Sequence, residues 1–412
     1  MSLPRLYVFN PTCDFAVANG NHSWQPNATL SRMQEDMSGI VRFLAKPDDI
    51  VLLKRLPSDE LSHLMESVGF PQPQFRTFDS FSIKPETIKE VRPWGWSPAF
   101  NRLITTLTES GKYLSTPSGI SPWQMVDKEI RSRKTSQNAL HHILKNHFHD
   151  NFISVAMVSK VCQNMEEIES QIAENGKLML KLPWSSSGRG LIPITEIPLH
   201  QTVKQRIHSA LKSQGYLMAE PFLDKVHDLA FLFQIDQGEI NYLGISRFFT
   251  DLKGQYQGNN LGGFPSDIPD EEKEFLEWAV TILPGLFTRI FHESGLTETY
   301  SGPLGIDTLI FKDNAGRLKI NPCLEINWRF TMGHISLEIE KYLHPASYGI
   351  FRTWQGKGKP FTQWISEHPP HFKLCENTGK IISGLIPLTE FAYNNQFGAW
   401  LEIIPKKPKT TH

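Results

Sequence analysis

The sequence lacks an excess of charge of either sign. Its 42 lysine and arginine residues balance 43 aspartate and glutamate residues, which gives a formal net charge of −1. No global basic field is therefore available to hold nucleic acid or the surface of a membrane. Long apolar runs are also missing, and no uncharged stretch reaches the roughly 18 residues that a membrane span needs. We therefore expect neither nucleic acid nor a membrane as a partner.

Cysteine is scarce as well. Cys13, Cys162, Cys323 and Cys375 lie far apart and form no C-x-x-C pair. That spacing argues against a zinc site or a disulfide framework, and it fits a reducing compartment. The N-terminal residues carry no basic segment followed by a long apolar run, as a secretory signal would. The sequence thus predicts a cytoplasmic protein.

Two common nucleotide-binding motifs are absent. No G-x-x-x-x-G-K-[ST] run occurs, and the glycines at 188 and 190 lack the dinucleotide-binding spacing. Instead, Lys181 ends an apolar stretch and precedes a loop, residues 182–190, that is rich in serine and glycine. Small residues let backbone N–H groups converge on an anion. Taken alone, this segment is either an anion-binding loop or an ordinary surface turn.

A second motif, E-I-N-W-R, begins at Glu325. On a strand, Glu325, Asn327 and Arg329 would share one face. This row suits a Mg²⁺–phosphate site, because Mg²⁺ takes oxygen ligands and arginine forks onto phosphoryl oxygens. Asp307 lies among apolar residues and needs a partner. The turn at residues 313–316 predicts a hairpin of strands 305–311 and 318–329, which would place Asp307 across from Glu325.

The two motifs together resemble the ATP-grasp superfamily over residues 120–345. The resemblance implies an α/β (α+β) fold, the ATP-grasp fold, and the strand–helix alternation at the start predicts a parallel α/β unit by itself. We expect an N-terminal small parallel α/β (pre-ATP-grasp) domain at residues 1–120, a lid region at 121–219, an antiparallel-sheet catalytic subdomain at 220–345 and a C-terminal β extension at 346–412. Other patterns predict a strand at 152–158 and a helix at 271–294 that is interrupted near Pro284.

The resemblance also implies an activity. ATP-grasp ligases use ATP and Mg²⁺ to activate a carboxylate as an acyl-phosphate, which an amine captures to give an amide or peptide-type bond, ADP and phosphate. Small-molecule carboxylate and amine substrates are then the expected partners, and a homodimer is left open. A small-molecule kinase on the same scaffold and a non-catalytic nucleotide-binding module are the alternatives.

Roles for individual residues follow from the resemblance. Lys181 and Arg329 would be catalytic, and Asp307, Glu325 and Asn327 would hold Mg²⁺. The expected nucleotide-binding residues are Lys134, Lys181, Ser185, Ser186, Ser187, Gly188, Arg189, Gly190, Glu220 and Asp228. Glu220 would read the adenine edge and Asp228 the ribose hydroxyls, whereas Arg189 either reaches the γ-phosphate or is solvated. For Lys134, the alternatives are Lys128, Arg131 and Arg133.

Four residues are candidates for substrate binding: Asn10, Asp14, Arg247 and Gly333. Asn10 and Asp14 follow the first strand, at the edge where α/β sheets commonly bind ligands. Asp14 would either pair with a substrate amine or cap the next helix. Arg247 would bind a substrate carboxylate or the γ-phosphate, and Gly333 lies shortly after Arg329.

Overall fold

The computed structural model describes residues 3–83, 88–109, 123–251, 253–264, 268–356 and 358–406. The β-strands are β1 (Arg5–Val8), β2 (Ile50–Leu53), β3 (Gln74–Thr77), β4 (Glu90–Pro93), β5 (Lys160–Cys162), β6 (Leu178–Lys181), β7 (Leu191–Ile194), β8 (Leu217–Pro221), β9 (Asp224–Asp236), β10 (Glu239–Thr250), β11 (Tyr256–Leu261), β12 (Gly302–Lys312), β13 (Leu318–Asn327), β14 (Ser347–Trp354), β15 (His371–Leu374), β16 (Ile381–Pro387) and β17 (Gly398–Pro405).

The α-helices are α1 (Cys13–Asn19), α2 (Ala28–Met37), α3 (Asp59–Val68), α4 (Phe78–Ile83), α5 (Pro98–Glu109), α6 (Met125–Ile130), α7 (Arg133–Asn146), α8 (Met165–Asn175), α9 (Gln201–Gln214), α10 (Asp270–Glu293), α11 (Leu296–Thr299), α12 (Met332–Glu340) and α13 (Phe361–Glu367). Two 3₁₀ helices span Ser38–Leu44 and Val155–Met157. Among the described helices, none combines the length and apolar character that crossing a bilayer requires.

The chain divides into two compact units. The first comprises Met1–Trp123, Gln257–Ser266 and Thr331–His412, and the second comprises Gln124–Tyr256 and Asp267–Phe330. The domain boundary expected between residues 120 and 121 lies outside the described residues.

The first unit begins with the predicted parallel α/β arrangement. Its parallel sheet has the strand order β3-β2-β1-β4, with Leu6 in register with Ile50 on one side and Val91 on the other. Apolar side chains of this sheet pack with Phe100 and Ile104 of α5, which are buried. The same unit carries antiparallel strands in the order β11-β14-β17-β16-β15.

A buried carboxylate anchors the segment before β17 in this unit. Asp36 of α2 accepts hydrogen bonds from the backbone N–H groups of Gln396 (2.8 Å) and Phe397 (3.1 Å) and from the Asn395 amide (3.1 Å). Arg32, one turn earlier, forms an ion pair with Asp36 at 2.8 Å. A buried carboxylate needs such partners, since burying an unpaired charge is unfavourable by several kcal/mol or more.

The second unit contains two antiparallel sheets. In the first, with the order β13-β12-β9-β10, the rings of Phe231 and Phe233 on β9 contact Phe287 of α10 at centroid distances of 5.3 and 6.1 Å. Helix α10 therefore covers that face of β9. It continues through Pro284, so the expected interruption there is wrong.

The second sheet has the order β5-β8-β6-β7. One face carries Leu178, Leu180 and Leu217, which form a core with buried residues of α8 and α9 such as Ile168 and Ile207. The strand expected at 152–158 is wrong, because those residues form a single bridge at Phe152 and a 3₁₀ turn that the Ser154 hydroxyl caps. The first strand of this sheet instead begins at Lys160.

Candidate active site

The hairpin of β12 and β13 brings the predicted metal ligands together. Asp307 is in register with Glu325, so their side chains leave the same face of the sheet. The Asn327 amide donates a hydrogen bond to Asp307 Oδ2 at 3.0 Å, and Arg329 Nη2 donates to Asn327 Oδ1 at 2.9 Å. Strand β13 ends at Asn327, two residues earlier than expected, and Arg329 still reaches the row from the following bend.

The Asp307 carboxylate is held in an environment that disfavours its charge. Burial and the neighbouring Glu325 raise the pKa of Asp307 to about 7, although the hydrogen bond from Asn327 and the charge of Arg329 oppose the shift. Two adjacent carboxylates that share a partly buried site are stabilised by a divalent cation with oxygen ligands. Asp307, Glu325 and Asn327 therefore fit a Mg²⁺ ion.

A basic residue at the start of α7 reaches this row. Arg133 Nη1 forms an ion pair with Glu325 Oε2 at 2.7 Å, and its Nε donates to the Leu182 carbonyl at 2.9 Å. The Ser136 hydroxyl accepts a hydrogen bond from the Ile326 N–H at 2.9 Å, which fixes the first turn of α7 against β13. Arg133 thus connects the metal-ligand row to the loop that follows Lys181.

The other basic residues in this segment point elsewhere. Lys134, the predicted phosphate ligand, lies with Nζ 4.0 Å from the centroid of the Tyr216 ring. Lys128 Nζ lies 4.6 Å from the Trp184 ring, and Arg131 Nη1 donates to the Asp127 carbonyl at 2.7 Å. Of the four alternatives, the structure therefore brings Arg133 to the carboxylates.

Lys181 and Glu220 lie on the sheet formed by β5, β8, β6 and β7. Leu180 and Ala219 face the core with α8 and α9, so alternation turns Lys181 and Glu220 to the opposite face. Lys181 Nζ forms an ion pair with Glu220 Oε1, and Lys181 is only 6% exposed. The predicted phosphate ligand and the predicted adenine-reading residue are therefore direct neighbours.

A pocket surrounds this ion pair. Besides Lys181 and Glu220 it is lined by Arg133, Gln137, Leu140, Ser159, Met218, Asn321, Cys323 and Leu324. The lining combines apolar side chains with amide and hydroxyl groups, and the cavity volume of about 10 Å³ is that of a single water molecule. Sequence reasoning missed most of these residues, because they come from several separate elements and share no spacing along the chain.

The serine–glycine loop packs tightly against its surroundings. Gly188 has a positive φ of 72°, and a Cβ atom there would lie 2.2 Å from the Gly254 carbonyl oxygen. At Gly190 a Cβ atom would lie 2.2 Å from the Ser185 hydroxyl, which itself accepts a hydrogen bond from Arg133 Nη2 at 3.3 Å. Neighbouring atoms thus leave no room for a Cβ atom at either position, so both must be glycine. The buried Ser185 side chain packs beneath the loop and supports it.

The rest of the loop extends from this support. Ser186 is also buried, whereas Ser187 is exposed and has a positive φ of 55°. Arg189 is exposed as a whole residue, yet partial desolvation of its guanidinium lowers the pKa of that group. A Ser187–Gly188 pair with positive φ values forms the turn at which backbone N–H groups would face an anion.

Asp228 lies on β9, on the same face as Asp307. The register pairs Asp307 with Ala230, so Asp228 is its diagonal neighbour. Lys225 Nζ contacts Asp228 Oδ2 at 2.7 Å and also bonds the Thr250 hydroxyl. Burial raises the pKa of Asp228, while the charges of Lys225 and Lys181 oppose that shift. Lys225 and Thr250 were not predicted.

Arg247 points away from this face. A bulge between Tyr242 and Gly244 shifts the register of β10 by one residue, so Arg247 pairs with Leu229 rather than with Asp228. Leu229 belongs to the face of β9 that α10 covers. The register thus places Arg247 on the face opposite to Asp228, and its role in substrate binding stays a prediction.

The remaining substrate candidates belong to the first compact unit. The Asn10 amide is bonded to the Gly95 carbonyl at 2.7 Å and fixes the loop after β4. Asp14 lies in the first turn of α1, after the N-cap Thr12, and Gly333 is buried in the first turn of α12. Their roles in substrate binding stay predictions.

Comparison with known proteins gives two results. No protein-family model matches the sequence, and no curated protein does. Among solved structures, similar chains are N5-carboxyaminoimidazole synthetase from Staphylococcus aureus complexed with ADP (12% identity, 98% of this chain and 93% of that chain, TM-score 0.46) and biotin carboxylase from Campylobacter jejuni (11% identity, 98% and 88%, TM-score 0.49). The biotin carboxylase domain of Hydrogenobacter thermophilus 2-oxoglutarate carboxylase, in complex with MgADP, has 12% identity, 98% and 86% coverage and a TM-score of 0.48.

These likenesses have TM-scores below 0.5, and they decide neither a family nor a function. The parallel sheet near the N-terminus, the sheet that carries Lys181 and the antiparallel sheet that carries Asp307 and Glu325 occur in the predicted order. This order confirms the predicted architecture of mixed helices and sheets, and membership of the ATP-grasp superfamily stays a prediction.

Proposed function

We propose that this protein is an ATP- and Mg²⁺-dependent ligase that joins a carboxylate to an amine. The observation that carries the proposal is the row formed by Asp307, Glu325, Asn327 and Arg329, with Arg133 bonded to Glu325. Such a row supplies oxygen ligands for a divalent cation beside two guanidinium groups for phosphoryl oxygens. Both features are needed to bind a nucleoside triphosphate and to transfer its γ-phosphoryl group.

The nucleotide would lie between Lys181 and this row. Lys181 and Arg133 would exchange their present carboxylate partners for phosphate oxygens, and the loop at Ser187 and Gly188 would cover the terminal phosphates through backbone N–H groups. Glu220 would read the adenine edge, and the pocket of about 10 Å³ beside it would have to widen to admit the base. We assign the phosphate contact to Arg133 rather than to Lys134, because Lys134 lies against the Tyr216 ring.

Mg²⁺ bound at Asp307, Glu325 and Asn327 would supply charge neutralisation at the bridging and terminal phosphates. Arg329 would stabilise negative charge on the transferring phosphoryl group while a carboxylate oxygen of the substrate attacks the γ-phosphorus in line and ADP leaves. An amine would then attack the acyl carbon, and phosphate would depart with that carboxylate oxygen. The amine loses a proton in this step.

Nucleotide binding is tested by thermal unfolding of the full chain with and without Mg²⁺-ADP. Ligand at about one hundred times its dissociation constant should add roughly 2.7 kcal/mol of stability. Lys181→Ala and Glu325→Gln should both reduce the shift. Lys177→Ala and Glu239→Gln serve as matched controls, because both side chains are exposed and should keep it. Absence of any shift at millimolar nucleotide would reject the proposal.

The reaction class is tested by isotope transfer. Pools of small carboxylates labelled with ¹⁸O are incubated with amines, ATP and Mg²⁺, and the phosphate produced is analysed by mass spectrometry. A ligase that works through an acyl-phosphate transfers one ¹⁸O atom from the carboxylate to free phosphate. A kinase would leave phosphate on its acceptor instead, and hydrolysis by water would give unlabelled phosphate.

A further inference from the structure

Two histidines and a glutamate converge at the ends of two helices, away from the residues used above. His142 lies in the last turns of α7, His147 is its C-cap residue, and Glu293 is the last residue of α10. His142 Nε2 lies 2.8 Å and His147 Nε2 lies 3.1 Å from the same oxygen, Glu293 Oε2. One atom of each side chain is thus directed to a common point.

The three side chains are close enough to share a metal ion, and the two histidine–glutamate contacts have hydrogen-bond lengths in the metal-free protein. The three potential ligand atoms lie within 4.8 Å of one another. Ligands around a tetrahedral zinc ion, at bond lengths of about 2.0–2.1 Å, are about 3.3 Å apart. Rotation of exposed or half-buried side chains is sufficient to open that distance, because His142 and Glu293 are about one-third exposed.

We propose that His142, His147 and Glu293 form a binding site for a transition-metal ion of the zinc class. Two imidazole nitrogens and one carboxylate are a ligand set that zinc uses, with a fourth position left for water or a further ligand. Mg²⁺ is excluded by the same chemistry, since it takes oxygen ligands. The site therefore differs in metal preference from the row at Asp307 and Glu325.

A neighbouring amide contacts the other ring nitrogen of His142. Asn146 Nδ2 lies 3.1 Å from His142 Nδ1, so in the metal-free protein the amide donates to Nδ1 and the proton of Nε2 is directed to Glu293. A histidine that ligates through Nε2 carries its proton on Nδ1 and donates it to a nearby acceptor. Metal binding would therefore require the Asn146 amide to turn and present its oxygen to Nδ1.

The sequence does not predict this site. The wide spacing of the cysteines argues against a zinc site built from thiolates. It says nothing about a site built from histidine and glutamate. His142 and His147 are five residues apart, and Glu293 follows 146 residues after His147. The contact exists because α7 and α10 bring their C-terminal ends together.

The site is tested by metal titration of the full chain after treatment with a chelator. Zn²⁺ is titrated against a chromophoric competitor, and Co²⁺ is added separately so that its visible absorption bands report the coordination geometry. Mg²⁺ is kept in large excess so that the carboxylate row does not take up the probe metal. We expect one Zn²⁺ per chain and Co²⁺ bands of a four-coordinate site.

Variants locate the bound ion. His142→Ala, His147→Ala and Glu293→Gln should each weaken Zn²⁺ binding by about 100-fold or more, and Asn146→Ala by about 10-fold, since loss of a supporting partner alone costs 10–100-fold. His141→Ala, an exposed histidine next to the cluster, and Glu325→Gln should leave binding unchanged. Circular dichroism and the unfolding midpoint without metal confirm that each variant folds.

The outcomes separate clearly. Stoichiometric binding that only the cluster variants weaken supports the site. Binding that Glu325→Gln removes would place the ion in the carboxylate row, and binding that none of the variants changes would place it elsewhere; either result overturns the proposal. No binding up to about 0.1 mM Zn²⁺, on the order of the weakest metal sites of extracellular modules, would overturn it as well, and the cluster would then be a histidine–carboxylate hydrogen-bond network.

Discussion

Replacing Asp307 by asparagine should stabilise the metal-free protein at high pH while abolishing Mg²⁺-nucleotide binding. The pKa of Asp307 is raised from 3.8 to about 7, so the folded state keeps a proton that the unfolded chain releases near pH 4. Stability therefore falls as the pH rises from about 4 to about 7, because the unfolded state binds fewer protons in that range. An asparagine side chain at this position carries no ionisable proton, so the Asp307→Asn variant would avoid this loss.

The size of the effect follows from the shift. Each pH unit in that range changes the free energy of unfolding by about 1.4 kcal/mol. Between pH 5 and pH 8 the advantage of Asp307→Asn over the unmodified protein should therefore grow by about 3 kcal/mol, as an upper figure for a coupled, partly buried group. At pH 4 the ionisation of Asp307 should contribute little to the difference between the two proteins in free energy of unfolding.

Urea unfolding in the presence of a chelator, at pH 5, 6, 7 and 8, measures this difference. Asp313→Asn is the matched control from the same hairpin, since hydrogen bonds from the backbone and side chain of Arg317 lower the pKa of Asp313. Its linkage has the opposite sign: the stability that Asp313 contributes is present above its unfolded pKa and is lost as the pH falls. Parallel pH profiles for Asp307→Asn and the unmodified protein would refute the reasoning.

Three further predictions concern the loop, the start of α7 and the cysteines. Gly188→Ala should lower the free energy of unfolding by about 2–5 kcal/mol and weaken nucleotide binding, because a positive φ adds to the clash of its Cβ with the Gly254 backbone. Gly215→Ala, at a left-handed position with open space around the Cβ, should cost only the roughly 1–2 kcal/mol of its positive φ. Arg133→Ala should weaken Mg²⁺-ADP binding at least tenfold by calorimetry. It should also lower the free energy of unfolding by about 1.5–3 kcal/mol, because a charged hydrogen bond to the partly exposed Glu325 is lost, whereas Lys134→Ala should cost less than about 1 kcal/mol. Cys375 should be the thiol that reacts fastest with an aromatic disulfide reagent, because hydrogen bonds to its thiolate lower its pKa while burial raises the pKa of the thiol at Cys162 to about 11.

For each of these three predictions, one outcome would contradict it. Equal unfolding midpoints for Gly188→Ala and Gly215→Ala would mean that the close approach at residue 254 is relieved without cost. Equal loss of nucleotide affinity in Arg133→Ala and Lys134→Ala would mean that both residues contact phosphate. A fast-reacting thiol that persists in Cys375→Ser would contradict the assignment of the reactive cysteine.

Much of the site was predictable because its residues are fixed by local patterns. The turn at 313–316 determines the hairpin, and the hairpin register determines that Asp307 faces Glu325. Alternation along β6 and β8 similarly places Lys181 and Glu220 on one face. In these places a two-residue period and a short turn carry all the necessary information.

The sequence is least informative where one residue of register in a strand, or one position on a helix, decides which side chain reaches the candidate site. The bulge after Tyr242 turns Arg247 to the other face of its strand, and no local pattern in β10 announces it. Arg133 and Lys134 are adjacent in sequence, and their directions differ by the roughly 100° that separates successive residues on a helix. Only the position of α7 against β13 decides which of them reaches Glu325.

The internal ion pairs of the candidate site have a consequence for the proposed binding of a nucleotide. Lys181 is paired with Glu220, Arg133 with Glu325 and Lys225 with Asp228, so each of these cations already has an anionic partner. Nucleotide binding would then be an exchange of partners rather than an addition of charge, and release of the nucleotide would restore the pairs. Such a site exerts little long-range attraction, so its association rate should depend only weakly on ionic strength. Because the carboxylates would regain their cations when the nucleotide leaves, the pairs would favour release of ADP.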